Sequence, residues 1–146
     1  MRLGIGSGLV AALAAVLGIA AAGGAAAQGE PGRLTIELNK LEPQGEACRS
    51  YLVIDNATSV ALTELVLDLY VFNRDGVIER RIAMDTREVP PGKTQVRLFD
   101  IRDIDCETIG RLLINGVLSC RDAAGDRADC QGLLALRSRA GVDLDG

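Results

Sequence analysis

Turn-forming residues interrupt the chain at short intervals, and this spacing limits the length of every regular element. The clearest interruptions are the segments 42–45 (EPQG), 73–76 (NRDG) and 89–93 (VPPGK). Proline fixes φ and lacks a backbone donor, whereas glycine permits positive φ, so both residues favour chain reversals. Asp-Gly between two apolar segments is typical of a β-hairpin. The intervening segments are therefore predicted to be short elements and not long helices.

The segments between these turns have the alternation of apolar and polar residues that half-buried β-strands show. The periodicity of segment 62–72 also fits an amphipathic helix, but the hairpin turn that follows it favours a strand. Segment 111–120 is predicted to be either one bulged strand or two short arms about Asn115-Gly116. We expect about seven strands, over 34–39, 48–54, 62–72, 77–84, 94–101, 111–120 and 133–137.

Short strands without a long helix predict an all-β fold, and the regular turns favour an antiparallel β-sandwich. We assign the sandwich domain to residues 34–139. The polar segment 28–33 is predicted to be a flexible leader, and segment 140–146 a flexible tail. The chain is thus expected to form one domain after an N-terminal segment.

The N-terminal 27 residues have the features of a cleaved signal peptide. Arg2 gives a positive start, segment 9–22 is apolar, and Ala25-Ala26-Ala27 supplies the small residues of a cleavage site. The apolar run is shorter than the roughly 20 residues that span a membrane. Cleavage is therefore favoured over an uncleaved anchor. The mature chain is expected to be periplasmic or secreted, without stable membrane insertion.

All four cysteines lie after the predicted cleavage site. An even number of cysteines in an exported chain indicates disulfides. Three pairings are available, and we favour Cys48–Cys106 with Cys120–Cys130, because the second pair would close a polar loop locally. The lack of a Cys-x-x-Cys motif argues against thiol exchange, and the wide spacings argue against a four-cysteine zinc site.

The composition excludes several functional classes. The chain has no histidine, so it lacks the base of a serine or cysteine triad and the ligand of most zinc sites. After removal of residues 1–27 it has 15 basic and 20 acidic residues, a net charge of −5, which disfavours nucleic acid as a partner. We therefore predict that the protein is not an enzyme, that it has no catalytic residues and that it needs no cofactor.

The densest acidic group consists of Asp100, Asp103, Asp105 and Glu107. Carboxylate oxygens at this spacing are candidate ligands for Ca²⁺. The stretch lacks the glycine of an EF-hand loop and contains Arg102, so a solvated loop is the favoured interpretation. Our prediction is therefore no metal site, with the four acidic residues as the candidates to examine.

Charged residues of both signs occupy the loop between Cys120 and Cys130. Such a loop commonly serves solubility, but a disulfide lowers the ordering cost of binding a partner. We name this segment the candidate recognition loop, and its charged residues are Arg121, Asp122, Asp126, Arg127 and Asp129.

The order of turns and apolar segments resembles a known type of domain. A strand ends at segment 55–58 (DNAT), segment 65–76 reads LVLDLYVFNRDG, and segment 90–94 (PPGKT) precedes an apolar strand that ends in Phe99. In this order the chain is similar to the small immunoglobulin-like domains of bacterial envelope proteins of the FxLYD type. The resemblance covers roughly residues 34–101. It implies an immunoglobulin-like antiparallel β-sandwich and a binding role without enzyme activity.

These features together predict an exported, disulfide-bonded β-sandwich that acts by binding. We expect an accessory module of the cell envelope, with an envelope protein as its partner. Two alternatives stay open. One is a structural or stress-protective periplasmic protein without a specific ligand, and the other is a small enzyme or enzyme inhibitor.

Overall fold

Two packed β-sheets make up the part of the protein that the computed structural model describes, residues 30–146. The predicted all-β sandwich is thereby confirmed. The predicted signal peptide, residues 1–27, and the first two residues of the leader lie outside the described residues. The strands are β1 (Leu34–Gln44), β2 (Ala47–Asn56), β3 (Glu64–Asn73), β4 (Ile78–Asp85), β5 (Thr94–Arg102), β6 (Ile109–Asp122), β7 (Gly125–Asp126), β8 (Leu134–Ser138) and β9 (Asp143–Asp145), with a 3-10 helix at Cys106–Thr108 and a short helix α1 at Cys130–Leu133.

The strands are divided between a four-stranded and a five-stranded sheet. The four-stranded sheet has the order β5-β2-β1-β8. The five-stranded sheet has the order β4-β3-β6, and the free edge of β6 pairs with β7 near one end and with β9 near the other. The hairpins β1–β2 and β3–β4 are antiparallel, as their tight turns require.

The core lies between the inner faces of the two sheets. Strand alternation sends every second side chain inward, so β1, β2, β3 and β6 contribute regular rows of leucine, isoleucine and valine. Fully burying one such side chain contributes about 1.5–3 kcal/mol. The largest fully buried side chains are Leu34, Ile36, Leu38, Leu52, Ile54, Leu65, Leu67, Leu69, Ile101, Ile109, Leu112 and Ile114.

The ambiguous segment 62–72 is a strand, as its following turn predicts. The side-chain oxygen of Asn73 accepts hydrogen bonds from the backbone amides of Asp75 and Val77, at 3.0 and 2.9 Å. Gly76 adopts a φ of 79°, a conformation that glycine reaches without steric cost. This turn sets the register of β3 with β4 and leaves β4 at the edge of its sheet.

Segment 109–122 is one bulged strand, so the alternative with a reversal at Asn115-Gly116 is wrong. β6 pairs with β3 along its length, and the register shifts by one residue at each of Gly110, Asn115 and Leu118. Each bulge inserts one unpaired residue and increases the local twist of the strand. β6 therefore has more residues than the β3 segment opposite it.

The C-terminal strands do not follow antiparallel pairing, so the prediction of an antiparallel sandwich is wrong for this end of the chain. After β7 the chain crosses from the five-stranded sheet to the four-stranded sheet through α1. It then enters β8 in the same direction as β1, and it returns in β9, parallel to β6. The connections that lead into β8 and β9 cross between the two sheets and are not hairpins. A crossing connection permits parallel pairing, whereas a tight hairpin does not.

The segment 140–146 does not form the free tail that the sequence predicts. Residues 143–145 pair with β6 as strand β9, and Leu144 is buried against the core. The hydroxyl of Ser138 donates to the carbonyl of Val142 at 2.5 Å, which closes the turn before β9. Burial of one leucine on a short strand is the physical reason that this segment is ordered.

The described part of the leader is also attached to the domain. The amide of Gly32 donates to the carbonyl of Ala57 at 3.0 Å, and the guanidinium of Arg33 donates to the carbonyls of Gly132 and Leu134. The leader therefore begins the domain and fastens α1 and the start of β8.

The two disulfides are those predicted from the sequence. Cys48–Cys106 joins β2 to the 3-10 helix before β6, and Cys120–Cys130 joins β6 to α1. Two intact disulfides are typical of an oxidising compartment outside the cytoplasm. Within residues 30–146 there is no helix with the length and apolar character needed to cross a membrane.

The burial of Leu144 gives a test of the C-terminal strand. We expect Leu144→Ala to lower the free energy of unfolding by about 2–3 kcal/mol, because it leaves a cavity at the end of the core. Leu118→Ala, at a half-exposed bulge of β6, should cost about 0.5 kcal/mol. Urea unfolding followed by circular dichroism measures both values. Equal losses would contradict the assignment of β9 to the core.

The lengths of the loops that the disulfides close predict which disulfide contributes more to the free energy of unfolding. Cys48–Cys106 closes a sequence separation of 58 and Cys120–Cys130 one of 10. In the chain-entropy model, replacing both cysteines of a pair by alanine costs about 4 kcal/mol for the first and about 3 kcal/mol for the second. Urea unfolding under non-reducing conditions compares the two double variants. A larger loss for the Cys120/Cys130 variant would contradict this order.

Candidate functional site

The candidate recognition loop forms the β6–β7 hairpin and the turn into α1, and its charges pair with one another. The guanidinium of Arg127 donates to Asp122 at 2.7 Å and to the two oxygens of Asp129 at 3.0 and 2.6 Å. Arg121 and Asp126 form a further ion pair of 3.0 Å. The five predicted residues thus form two internally paired groups, Arg127 with Asp122 and Asp129, and Arg121 with Asp126.

The pairs with Arg127 keep the carboxylates of Asp122 and Asp129 charged and occupied. The hydrogen bond from Arg127 lowers the pKa of Asp122, and the hydrogen bond from the amide of Ala124 lowers it further. Arg127 also lowers the pKa of Asp129. A partner that uses these carboxylates has to compete with Arg127 for them.

The four acidic residues considered as calcium ligands do not form one site. Asp100 lies on the outer face of β5, where Arg49 donates to its two oxygens at 2.7 and 3.0 Å. Asp103, Asp105 and Glu107 lie in the connection between β5 and β6 and line an open groove of about 690 Å³. Across residues 30–146, no group of three His, Cys, Asp or Glu side chains is arranged to hold a metal ion.

A polar pocket on the outer face of the four-stranded sheet was not identified from the sequence. Although this face points away from the core, Thr35 and Glu37 of β1 are only 3% and 7% exposed. The pocket has a volume of about 280 Å³. We call it the Glu37 pocket, and its lining residues are Thr35, Glu37, Asn39, Val53, Asp55, Thr94, Arg137 and Arg139.

Strand pairing brings two arginines to Glu37. β8 runs parallel to β1 with Arg137 directly opposite Glu37. Arg139 follows two residues later, and its backbone amide donates to the carbonyl of Leu38 at 2.8 Å. β1 has a bulge at Asn39, whose side-chain amide donates to Glu37 Oε1 at 2.9 Å. The pocket is therefore built on paired strands and not on a loop.

Glu37 interacts unequally with the two guanidiniums. Arg139 Nε donates to Glu37 Oε2 at 3.0 Å. Arg137 Nε lies 3.7 Å from the same oxygen, which is too far for a hydrogen bond. One carboxylate and two guanidiniums give this group a net charge of +1. Asp55, which accepts a hydrogen bond from Thr94 at 2.6 Å, adds a negative charge to the pocket lining.

The surroundings of Glu37 favour its charged form. Burial by itself raises the pKa of Glu37, but the hydrogen bonds from Asn39 and Arg139 and the charges of Arg139 and Arg137 outweigh burial. The pKa therefore lies below its ordinary value of 4.5. A general base works best with a pKa near the operating pH. Glu37 is thus an anchor for the arginines and is poorly suited to proton transfer.

Apolar side chains adjoin the Glu37 pocket. Val53 of β2 lines the pocket and pairs with Val96 of β5, and the next pair on this face is Tyr51 with Leu98. Val96 and Leu98 are 52% and 51% exposed. We call these four side chains the apolar strip. A polar pocket beside an exposed apolar strip is typical of a surface that binds another molecule.

The outer face of the five-stranded sheet contains a second buried carboxylate. Asp68 accepts hydrogen bonds from Arg81 at 2.7 Å and from Asn115 at 3.1 Å. The bond from Arg81 is the main cause of the lowered pKa of Asp68. The guanidinium of Arg81 also lies over the ring of Tyr70, at 5.6 Å. Both carboxylate oxygens are occupied, so this cluster mainly joins β3, β4 and β6.

The sequence contained only a faint signal of the Glu37 pocket. Strand alternation places Thr35 and Glu37 outward, but it does not reveal which strand lies beside them. Arg137 is separated from Glu37 by 100 residues, and only their parallel pairing joins them. The two arginines at the end of the last predicted strand and two residues beyond it, at 137 and 139, are the one pattern that indicates this face.

Comparison of the chain with protein-family models, with curated proteins and with solved structures finds no match. The proposals below therefore rest on the geometry of the described residues and on the sequence pattern.

The lowered pKa of Glu37 predicts a pH-dependent contribution to stability. A carboxylate with a depressed pKa in the folded state stabilises the protein above its unfolded pKa and loses this effect as the pH falls through the folded pKa. We expect Glu37→Gln to lower the free energy of unfolding by about 1–3 kcal/mol at neutral pH. This difference should shrink as the pH falls below 4.5.

Urea unfolding at a series of pH values measures this effect. Glu46→Gln, in the exposed turn between β1 and β2, is the matched control and should leave the stability profile unchanged. A difference between the protein and its Glu37→Gln variant that is the same at every pH would contradict the assignment of a charged Glu37.

Proposed function

We propose that the protein is an exported binding module of the cell envelope, non-catalytic in its action, and that it recognises an envelope protein through the Glu37 pocket and the apolar strip. The occupant that this surface fits is a protein segment with an acidic group next to apolar side chains. Such a segment would match the net positive charge of Glu37, Arg137 and Arg139 together with exposed Val96 and Leu98.

The proposal of export is supported by two independent features. Residues 1–27 have the pattern of a signal peptide, and the mature chain holds its four cysteines as two disulfides. Disulfides persist in the periplasm and outside the cell, whereas cytosolic thiols are kept reduced. Both features favour a periplasmic or secreted protein.

The observation that carries the binding proposal is the burial of Glu37 with two arginines on an outer sheet face. Polar residues on such a face normally extend into water, and a buried ion pair gives little net stability because its groups lose their hydration. Here the charged groups are instead held in fixed positions by strand pairing. Fixed side chains on rigid strands lower the ordering cost of recognition.

The proposed immunoglobulin-like topology, of the FxLYD type, is supported by the order of the first six strands. Taken in chain order as A, B, C, C′, E and F, they form the neighbours A-B-E in one sheet and C′-C-F in the other, as in immunoglobulin folds. The chain departs from that fold after β6. β8 joins β1 and β9 joins β6, both in parallel, where an immunoglobulin domain has one strand antiparallel to F.

Site-specific photocrosslinking in cells tests the proposal. A photoreactive residue replaces Val96 in the apolar strip, and in a matched variant it replaces Leu118, which is 50% exposed on the opposite sheet beside the recognition loop. We expect one envelope protein to be crosslinked from position 96 and not from position 118. An excess of the untagged folded protein should compete with this product.

The other outcomes of this experiment contradict the proposal in different ways. Crosslinking from position 118 alone would assign binding to the Cys120–Cys130 loop. No specific product from either position, with the protein folded and exported, would favour a structural or stress-protective role without a partner.

A further inference from the structure

Two hydrogen-bond donors in the Glu37 pocket have no partner. Within residues 30–146, the buried side-chain polar atoms without a hydrogen bond are Arg33 Nε, Thr35 Oγ1, Ser50 Oγ and Arg137 Nε. Two of these four atoms, those of Thr35 and Arg137, belong to residues that line this pocket. Buried polar groups in folded proteins are nearly always paired, so two in one small pocket indicate a site for a further group.

The chemistry of the two atoms defines what that group must be. A guanidinium N–H only donates, and a threonine hydroxyl donates or accepts. An acceptor oxygen suits either atom, since each is able to donate a hydrogen bond. The guanidinium of Arg137 is positively charged, which favours an acceptor with negative charge, although Asp55 brings the net charge of the pocket lining to zero.

Arg137 is the guanidinium available for this acceptor. Arg139 is committed to Glu37 by its 3.0 Å hydrogen bond, whereas the 3.7 Å separation leaves the Nε edge of Arg137 without a hydrogen bond. The side chain of Arg137 is 34% exposed, so its outer end reaches solvent while its Nε is buried. The Nε and Nη groups of an arginine form a planar fork that matches the two oxygens of a carboxylate or phosphate.

We propose that the Glu37 pocket is an oxyanion site, in which Arg137 binds a carboxylate or phosphate group and the hydroxyl of Thr35 donates a further hydrogen bond. This inference rests on the proposed function and names the group of the partner that the pocket recognises. Glu37 and Asn39 act as positioning residues, because Asn39 orients Glu37, which holds Arg139 by a hydrogen bond and Arg137 by a 3.7 Å ion pair alone. Asp55 opposes the anion by its negative charge and sets an upper limit on affinity.

Titration of the isotope-labelled, disulfide-bonded protein with inorganic phosphate, and separately with acetate, tests this proposal. Ionic strength is held constant with sodium chloride, and the Nε–Hε signals of the arginines are followed by nuclear magnetic resonance. We expect a saturable shift of the Arg137 signal in the millimolar range. The signal of Arg49, which is paired with Asp100 on the same sheet face, is the internal control and should not shift. The stronger of the two probes identifies the natural group as phosphate or carboxylate.

Three variants separate a binding role from a structural one. Arg137→Gln should weaken phosphate binding by about tenfold or more, the loss of one charge-assisted hydrogen bond. Thr35→Val removes the unpaired hydroxyl and should weaken binding by several fold without loss of thermal stability. Asp55→Asn should strengthen binding by a few fold, because it removes a negative charge. Arg49→Gln should leave binding unchanged.

Three results would overturn the oxyanion site. They are the absence of a saturable shift at Arg137, equal shifts of Arg137 and Arg49, and unchanged affinity in the Thr35→Val and Arg137→Gln variants. The last result would mean that a buried water molecule satisfies the two donors and that the anion binds elsewhere. If phosphate and acetate fail while position 96 still crosslinks a partner, the proposed function stands and the oxyanion site alone is rejected.

Discussion

The parallel pairing of β8 with β1 is the contact on which the C-terminal fold and the Glu37 pocket both depend. It brings the chain from one sheet to the other and places Arg137 opposite Glu37. The Cys120–Cys130 disulfide fixes α1 to β6 immediately before this crossing, and Arg33 holds the start of β8 from the other side. If β8 shifted by one residue, its arginines would move to the inner face, because side chains alternate along a strand.

Local signals in the sequence were sufficient for the first five strands. Asn73 and Gly76 define one hairpin through side-chain hydrogen bonds and a positive φ, and these effects act within a few residues. The disulfide pairing was predictable because one pair closes a short polar loop. The direction of β8 and the existence of β9 were not predictable, since each depends on a distant strand. In the sequence Leu144 is an apolar residue between two aspartates, and only the pairing with β6 explains its burial.

The same limit explains why the Glu37 pocket is not among the surfaces that the sequence selected. Asp103, Asp105 and Glu107 are dense in sequence, yet Asp100 faces another way and pairs with Arg49. The charges of the recognition loop are also dense, and all five take part in ion pairs within the loop. Charges close in sequence are commonly paired or solvated. The Glu37 pocket collects its charges from strands 100 residues apart, and no window along the chain contains them.

The outer face of the four-stranded sheet is packed in two different ways, by apolar contacts over one pair of strands and by charged contacts over the other. Over β2 and β5, Val53 packs beside Val96, and this contact needs no hydrogen bonds. Over β1 and β8, a carboxylate and two guanidiniums occupy the equivalent positions, although desolvation cancels most of their mutual attraction. Two pairs of aliphatic side chains at these positions would stabilise the sheet at least as well. The charged arrangement differs from aliphatic pairs in one respect. It holds hydrogen-bond donors in fixed orientations, and those of Arg137 and Thr35 have no hydrogen-bond partner among the described residues. The proposed recognition of an anionic group would account for this difference, whereas sheet stability does not require it.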